Sequence, residues 1–192
     1  MPDTNQNTVT NVSAGKPKVL GAIYHAPLGT ALPTTVSAAL NASFACVGYI
    51  SEDGVTNSNS AESESLKAWG GDIVMVSQTE KNDTFAFKMI EAKNIEALKA
   101  VYGAANVSGT LSEGVTVKSN SKQNPAEAWI IDIAMSENAF KRIVIPNAML
   151  TELEDIVYND SEAIGYGVTL SALPYSGFDG DTHREYIQTV SA

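Results

Sequence analysis

The sequence predicts a mainly β protein, a β-sandwich or partial barrel with one or two α-helices, and three alternating stretches carry that expectation. In the first, Trp129, Ile131, Ile133 and Met135 share one face of a period-two pattern, and Ile130, Asp132 and Ala134 the other. Lys141 to Ile145 returns as its partner across the loop 136–140, whose length suits a hairpin. In the second, Tyr166, Val168, Leu170 and Ala172 alternate with Gly167, Thr169 and Ser171. In the third, Phe85, Phe87 and Met89 alternate with Thr84, Ala86 and Lys88. The central hairpin is expected to be half-buried, with Pro146 ending its return strand because proline has no N–H for the ladder.

The remaining elements follow in chain order. Met1 to Lys18 is a polar N-terminal arm in which Pro17 discourages regular structure, and 19–192 is expected to form one β-rich domain. Val19 to His25 reads as a short strand closed by Pro27 and Gly29. Val36, Leu40, Phe44 and Val47 recur at helical spacing, which predicts about three turns of helix capped by Thr34 or Thr35, with Gly48 beyond its end. Ser51-Glu-Asp-Gly54 is a turn signal. The Ser-, Asn- and Glu-rich stretch 55–67 reads as a polar loop or a protruding hairpin arm. Gly70-Gly71 opens a strand Asp72–Gln78, and the polar run 79–83 is expected to turn it into Thr84–Ile90. Asn94 caps a helix whose stripe is Ile95, Leu98, Val101 and Tyr102, and Gly103 ends it. Val115–Ser119 is a strand, Met149–Tyr158 an extended pair across Glu154-Asp155, 177–181 a turn, and Glu185–Gln188 a last short strand.

Composition narrows the function. At 192 residues the chain is long enough for a core without metal or disulfide staples. Its single Cys46, within Phe44-Ala-Cys-Val47, reads as packing and excludes an intrachain disulfide. The polar N-terminus has no signal-peptide pattern, and no apolar run approaches the ~18 residues of a membrane span, so the reading is a soluble protein made in a reducing cytoplasm. Net charge is −10, without a basic cluster. Gripping nucleic acid requires cations that displace condensed counterions, and this chain lacks them.

Constellations for chemistry are sparse. His25 and His183 are far apart, without metal-ligand spacing, and read as structural or surface residues. Asp179-Gly-Asp181 resembles part of a calcium loop but lacks the later ligands and closing Glu, so a plain turn is expected. Glu62 and Glu64 share one strand face with no apolar pocket to push their pKa values apart, which makes a solvated acidic face rather than a catalytic pair. No nucleophile elbow, phosphate loop, dinucleotide fingerprint or CxxC pair occurs; neither an enzyme nor a cofactor is expected. Ordering polar arms costs ~1–2 kcal/mol per residue with few contacts in return. Arms at 1–18 and 55–67 are therefore read as surfaces received by identical neighbours, with Lys16, Lys18, Glu62 and Glu64 as inter-subunit candidates.

Several blocks in order carry a resemblance. Gly15-Lys-Pro-Lys-Val-Leu-Gly-Ala-Ile-Tyr24 with Ala26-Pro-Leu-Gly29 is similar to the opening of siphophage major tail proteins, the tail tube subunits. Gly48-Tyr-Ile-Ser-Glu-Asp-Gly54 with Val55-Thr-Asn-Ser-Asn59, Lys67-Ala-Trp-Gly-Gly-Asp72, Arg142-Ile-Val-Ile-Pro-Asn-Ala148 and Gly165-Tyr-Gly-Val-Thr-Leu-Ser-Ala-Leu-Pro174 resemble later blocks, so the likeness runs over roughly 14–188. It implies hexameric rings stacked into a non-contractile tube that conducts phage DNA into the host. It implies a virion protein, made in the host bacterial cytoplasm, whose partners are further copies of itself, the tape measure, the tail terminator and the distal tail protein. No membrane partner and no C-terminal immunoglobulin-like domain are expected.

In such a tube the bore is expected to be lined by polar sheet faces, with Asp132, Thr169, Ser171 and Glu127 as lumen-facing candidates. Their repulsion of phosphate acts over a Debye length of ~8 Å, a wall that does not stick. Arg142 fits such a wall only if it is paired or turned away. The rival reading is a monomeric β-sandwich binding module of a phage tail tip, which clustered exposed aromatics favour.

Overall fold

A computed structural model describes residues 7–18, 21–136 and 138–189. Parts of the expected N-terminal arm (1–6), strand (Val19 and Leu20) and hairpin loop (Glu137) lie outside the described residues, as does 190–192. The chain is mainly β and its large sheet is not closed into a barrel. Strands β1 (Lys16–Pro17), β2 (Ile23–Pro27), β3 (Ala45–Cys46), β4 (Ile50–Lys67) and β5 (Ile73–Met89) precede helix α1 (Ile95–Tyr102). After it come β6 (Val107–Thr110), β7 (Gly114–Val117), β8 (Glu127–Ala134), β9 (Ala139–Leu153), β10 (Tyr166–Ala172) and β11 (Arg184–Thr189). The main path runs β3-β2-β8-β9-β10-β5-β4, with β1 added to β8 and β11 to β9, while β6 and β7 form a separate hairpin.

The hairpin β8–β9 is the centre. Trp129 lies opposite Ile145, Ile131 opposite Ile143 and Asp132 opposite Arg142. Trp129, Ile131, Ile143 and Ile145 join Phe85, Phe87 and Met89 of β5, Val168 and Leu170 of β10, and Leu98 and Val101 of α1 in the main core. The other face is also covered: Ala128 and Ile130 pack with Ala26 and Phe44, flanked by Tyr24, Leu32 and Leu40. The hairpin is therefore buried on both sides rather than half-buried, because the 28–44 segment wraps over the second face.

Helix α1 matches its sequence signals. The Asn94 side chain accepts from the backbone N–H of Glu96 and Ala97 at 3.0 and 3.4 Å, and Gly103 leaves the helix at φ 87°. The helix expected near Thr35–Val47 does not form; α1 is the one α-helix among the described residues. Residues 34–38 bend instead, and the carbonyls of Thr35 and Ala38 accept from Arg142 Nη1 at 3.0 and 2.7 Å. Those carbonyls are committed to a guanidinium from another element. Gly48 still adopts a positive φ of 88°, and a Cβ there meets the Glu91 carboxylate.

Other boundaries shift for identifiable reasons. Pro146 does not end β9, which runs on to Leu153. At Pro146 the strand changes neighbours: Ala139–Val144 pairs with β11 and Ala148–Leu153 with β10. A missing N–H costs least at such a switch. Pro17 likewise lies opposite Ile133 in the two-residue β1. The polar run 79–83 is not a turn, since β5 continues through it, and the reversal falls at Trp69-Gly-Gly71, where both glycines have positive φ. Ser51–Gly54 is a bulge inside β4, between the pairs Ile50–Met89 and Val55–Phe87. The second strand expected after Glu154-Asp155 is absent, and 154–165 has no regular structure.

Candidate functional site: an open sheet face and a projecting arm

Strands β4 and β5 are paired from Val55 opposite Phe87 out to Lys67 opposite Ile73. Near the body, Phe85, Phe87 and Met89 are buried on the inner face. From Ser60 to Asn82 every residue is exposed, so the ribbon leaves the body and projects ~25 Å at ~3.3 Å per residue. The 55–67 stretch is thus one strand of a hairpin arm, and its partner is β5. Glu62 lies directly opposite Glu80, and Glu64 opposite Ser77 on the same face. Like charges across a strand pair destabilise it, and a lone two-stranded ribbon is marginal in water. The arm gains nothing from its own body beyond its root.

That root is pinned by Asp83. Its carboxylate, 3 % exposed, accepts from Thr182 Oγ1 at 2.5 Å and Asn57 Nδ2 at 2.9 Å, and His183 Nδ1 sits 2.6 Å away. Burial pushes the Asp83 carboxyl up, but the hydrogen bonds from Thr182, Asn57 and His183, with the imidazole's charge, outweigh it and hold the pKa below the ordinary carboxylate value. The cluster ties β4, β5 and the segment before β11 together. A cleft of about 330 Å³ opens beside it, bordered by Lys81, Thr84, Ser171, Pro174 and Thr182.

The outer face of the same sheet is mostly polar, with Thr169 and Ser171 at its centre and Lys88, Glu152 and Met149 beside them. Thr169 lies opposite Ala86 and Glu152, Ser171 opposite Thr84 and Met149, and Thr56 and Ser58 continue the row on β4. Thr151 Oγ1 donates to the Thr169 carbonyl at 3.2 Å and lies 3.1 Å from Ser171 Oγ. Thr169 and Ser171 thus sit half-buried on one face with hydroxyl neighbours, and the face runs without a break onto the Glu62–Glu80 side of the arm. On the far side of β4 no strand pairs among the described residues, leaving a long unpaired edge.

Asp132 does not belong to that face. It is 4 % exposed and takes a two-pronged ion pair from Arg142, Nε to Oδ1 at 2.6 Å and Nη2 to Oδ2 at 2.8 Å. The expectation of an outward Asp132 is corrected: the second layer over β8 buries the face that alternation alone leaves polar. Arg142 is buried with it, 2 % exposed, and lies on the same covered face. Glu127 is partly buried against His25, with Oε2 2.8 Å from Nδ1, and contributes to packing near Trp129 rather than to the open face. His25 Nε2 is buried without a hydrogen-bond partner, 3.9 Å from Glu96 Oε2.

The inter-subunit candidates divide. Glu62 and Glu64 are exposed on the arm. Lys16 pairs with the chain's own β8, and Lys18 Nζ reaches Asp132 Oδ2 at 3.5 Å. The N-terminal segment is therefore tied to its own body from about Ser13, whose hydroxyl accepts from the Ser136 N–H at 2.7 Å. Asp179 and Asp181 receive Arg184 at 3.2 and 2.9 Å, a turn closed by a cation from the protein itself. Among the described residues no cluster of three or more His, Cys, Asp or Glu is placed to hold a metal, and no helix is long and apolar enough to cross a membrane.

A model of the phage tail tube protein family matches residues 6–187. The chain belongs to that family. It is a phage tail structural protein and a component of the virion. No curated protein is significantly similar to it. Among solved structures, it resembles the tube-terminating cap of the anti-feeding prophage at 12 % identity and a TM-score of 0.45, over 99 % of this chain and 100 % of that one. It also resembles the sheath/tube terminator of the extracellular contractile injection system PVC, at 10 % identity and a TM-score of 0.37, over 90 % and 97 %.

Proposed function

We propose that this tail tube protein self-assembles into stacked, hexameric rings that form the non-contractile tail tube of a siphophage, the conduit for DNA ejection. The observation that carries the reading is the incompleteness of the β4–β5 pair: a ribbon exposed on both sides, with its outer edge unpaired, attached to a well-packed body. Neighbouring copies supply what the single chain lacks, edge to edge within a ring and arm to body between rings. The open face of β4, β5, β10 and the end of β9 lines the bore, with Thr169 and Ser171 in the wall and Asp132 and Glu127 outside it. Hydroxyls dominate that face, where Lys88 lies beside Gly167, and a net-acidic chain has little with which to displace the counterions of phosphate, so DNA slides without being held. Tail terminator, distal tail protein and tape measure meet the ends and interior of the tube.

Concentrating the purified chain and imaging it by negative-stain electron microscopy tests the proposal. Hollow tubes or rings with a bore wide enough for duplex DNA are expected. A monomer at every concentration and salt, by sedimentation, removes it.

A further inference from the structure

Strand β11 takes the place in the sheet that β10 leaves. Both pair with the same edge of β9, β10 along Ala148–Leu153 and β11 along Ala139–Val144. On its other edge β10 pairs with β5 down to Ser171 opposite Thr84, and below that point this edge of β5 has no partner among the described residues. The outward edge of β11 has none there either. Two unpaired edges of one sheet therefore face each other. They run antiparallel, since β5 with β10, β10 with β9 and β9 with β11 are each antiparallel. Ala172 lies opposite Ala148, and Arg184 opposite Val144, four residues lower on β9. The same step down β5 from Asp83, level with Ala172, brings Thr79 beside Arg184, Val76 beside Ile187 and Val74 beside Thr189. Val76 and Ile187 are 64 and 61 % exposed, and no like charges meet in this register.

A gap and a hinge lie where a closure of these edges needs them. The gap is the cleft of about 330 Å³ between Lys81–Thr84 and Leu173, Pro174 and Thr182. At its floor Thr182 and His183 already hold Asp83. The hinge is a bulge: Glu62 lies opposite Glu80 and Ser63 opposite Gln78, which leaves Thr79 as an extra residue, and a bulge bends its strand. We propose that in the unassembled chain the arm swings at Thr79 and adds residues 74–79 to the free edge of β11. This stowed position covers two edges that otherwise template aggregation and brings the exposed apolar run Ile73–Val76 onto the body. It also gives a marginal two-stranded ribbon its third strand. The pairing is independent of the tube reading; its consequence, that tubes require release of the arm, rests on that reading. A tenfold preference for the stowed position is ~1.4 kcal/mol, only a few degrees of Tm.

Two cysteine pairs in a Cys46→Ala background test this, Val76→Cys with Ile187→Cys and Met75→Cys with Gln188→Cys. Neighbouring antiparallel pairs alternate between wide and close spacing, and the close one suits a disulfide. In a glutathione redox buffer one pair should form an intrachain disulfide in the monomer. The oxidised chain should lose tenfold or more in tube yield and regain it on reduction. In the unsubstituted chain, the β11 amides that point away from β9 should exchange about tenfold more slowly than when 60–82 is replaced by Asn-Gly. No intrachain disulfide from either pair, a disulfide between chains, or equal exchange in the two chains overturns the stowed arm. Normal tubes from the oxidised chain overturn it as a brake on assembly. A parent chain that stays monomeric at every concentration removes the tube reading, while the disulfide and the exchange rates still decide the pairing.

Discussion

Arg142 and Asp132 set the terms at the scale of single residues. A guanidinium 2 % exposed holds a buried carboxylate and two backbone carbonyls from a segment about a hundred positions earlier. Removing it strands a buried charge and two acceptors. Arg142→Ala should cost ~3–5 kcal/mol and lower Tm by about 10 °C, read by thermal melting. Replacing both partners with apolar residues should cost less than Arg142→Ala. Asp83 supplies the pH dependence. Its folded pKa lies below the unfolded one, so its stabilisation is fully present above about pH 4 and is lost as pH falls through the lower folded value. The parent chain should therefore lose Tm more steeply than Asp83→Asn below pH 4, while Asp83→Asn is the less stable at pH 7 by ~1–3 kcal/mol.

At the scale of elements, the arm and the body are separable. Everything from Ser60 to Asn82 is exposed, and Asn59 lies opposite Asp83, the spacing a two-residue hairpin turn spans. Replacing 60–82 by Asn-Gly should leave Tm within a few degrees of the parent while abolishing tubes under the electron microscope. A large loss of stability means that the arm packs on its own body. The N-terminal segment behaves differently, because β1 and Ser13 bind it to β8 and its edge. Truncation past Ser13 is a stability change as much as an assembly change.

The whole molecule presents two kinds of surface: a buried two-sided hairpin within, and an unpaired edge, a hydroxyl face and an apolar tip without. The bore argument belongs here. Thr169→Lys with Ser171→Lys puts two cations per copy on the hydroxyl face without touching the core. Tubes should still form, and DNA delivery should slow at low salt and recover as salt rises, the signature of phosphate contacts. Unchanged infectivity at all salts places the bore on another face.

Local pattern by itself determined the strands whose faces differ, β8, β10 and the inner half of β5, and the one helix with a cap at each end. Those signals lie within a few residues of one another and do not depend on distant partners. Only the tertiary structure decided the rest. Whether Asp132 faces water depends on a second layer contributed by residues 28–44, and whether Thr35–Val47 coils depends on where Arg142 directs its donors. The polar run 79–83 looks like a turn in isolation, yet it is strand because β4 runs beside it through solvent. Alternation along a strand says which residues share a side, and burial of that side is set by what the rest of the chain, or another copy of it, lays across.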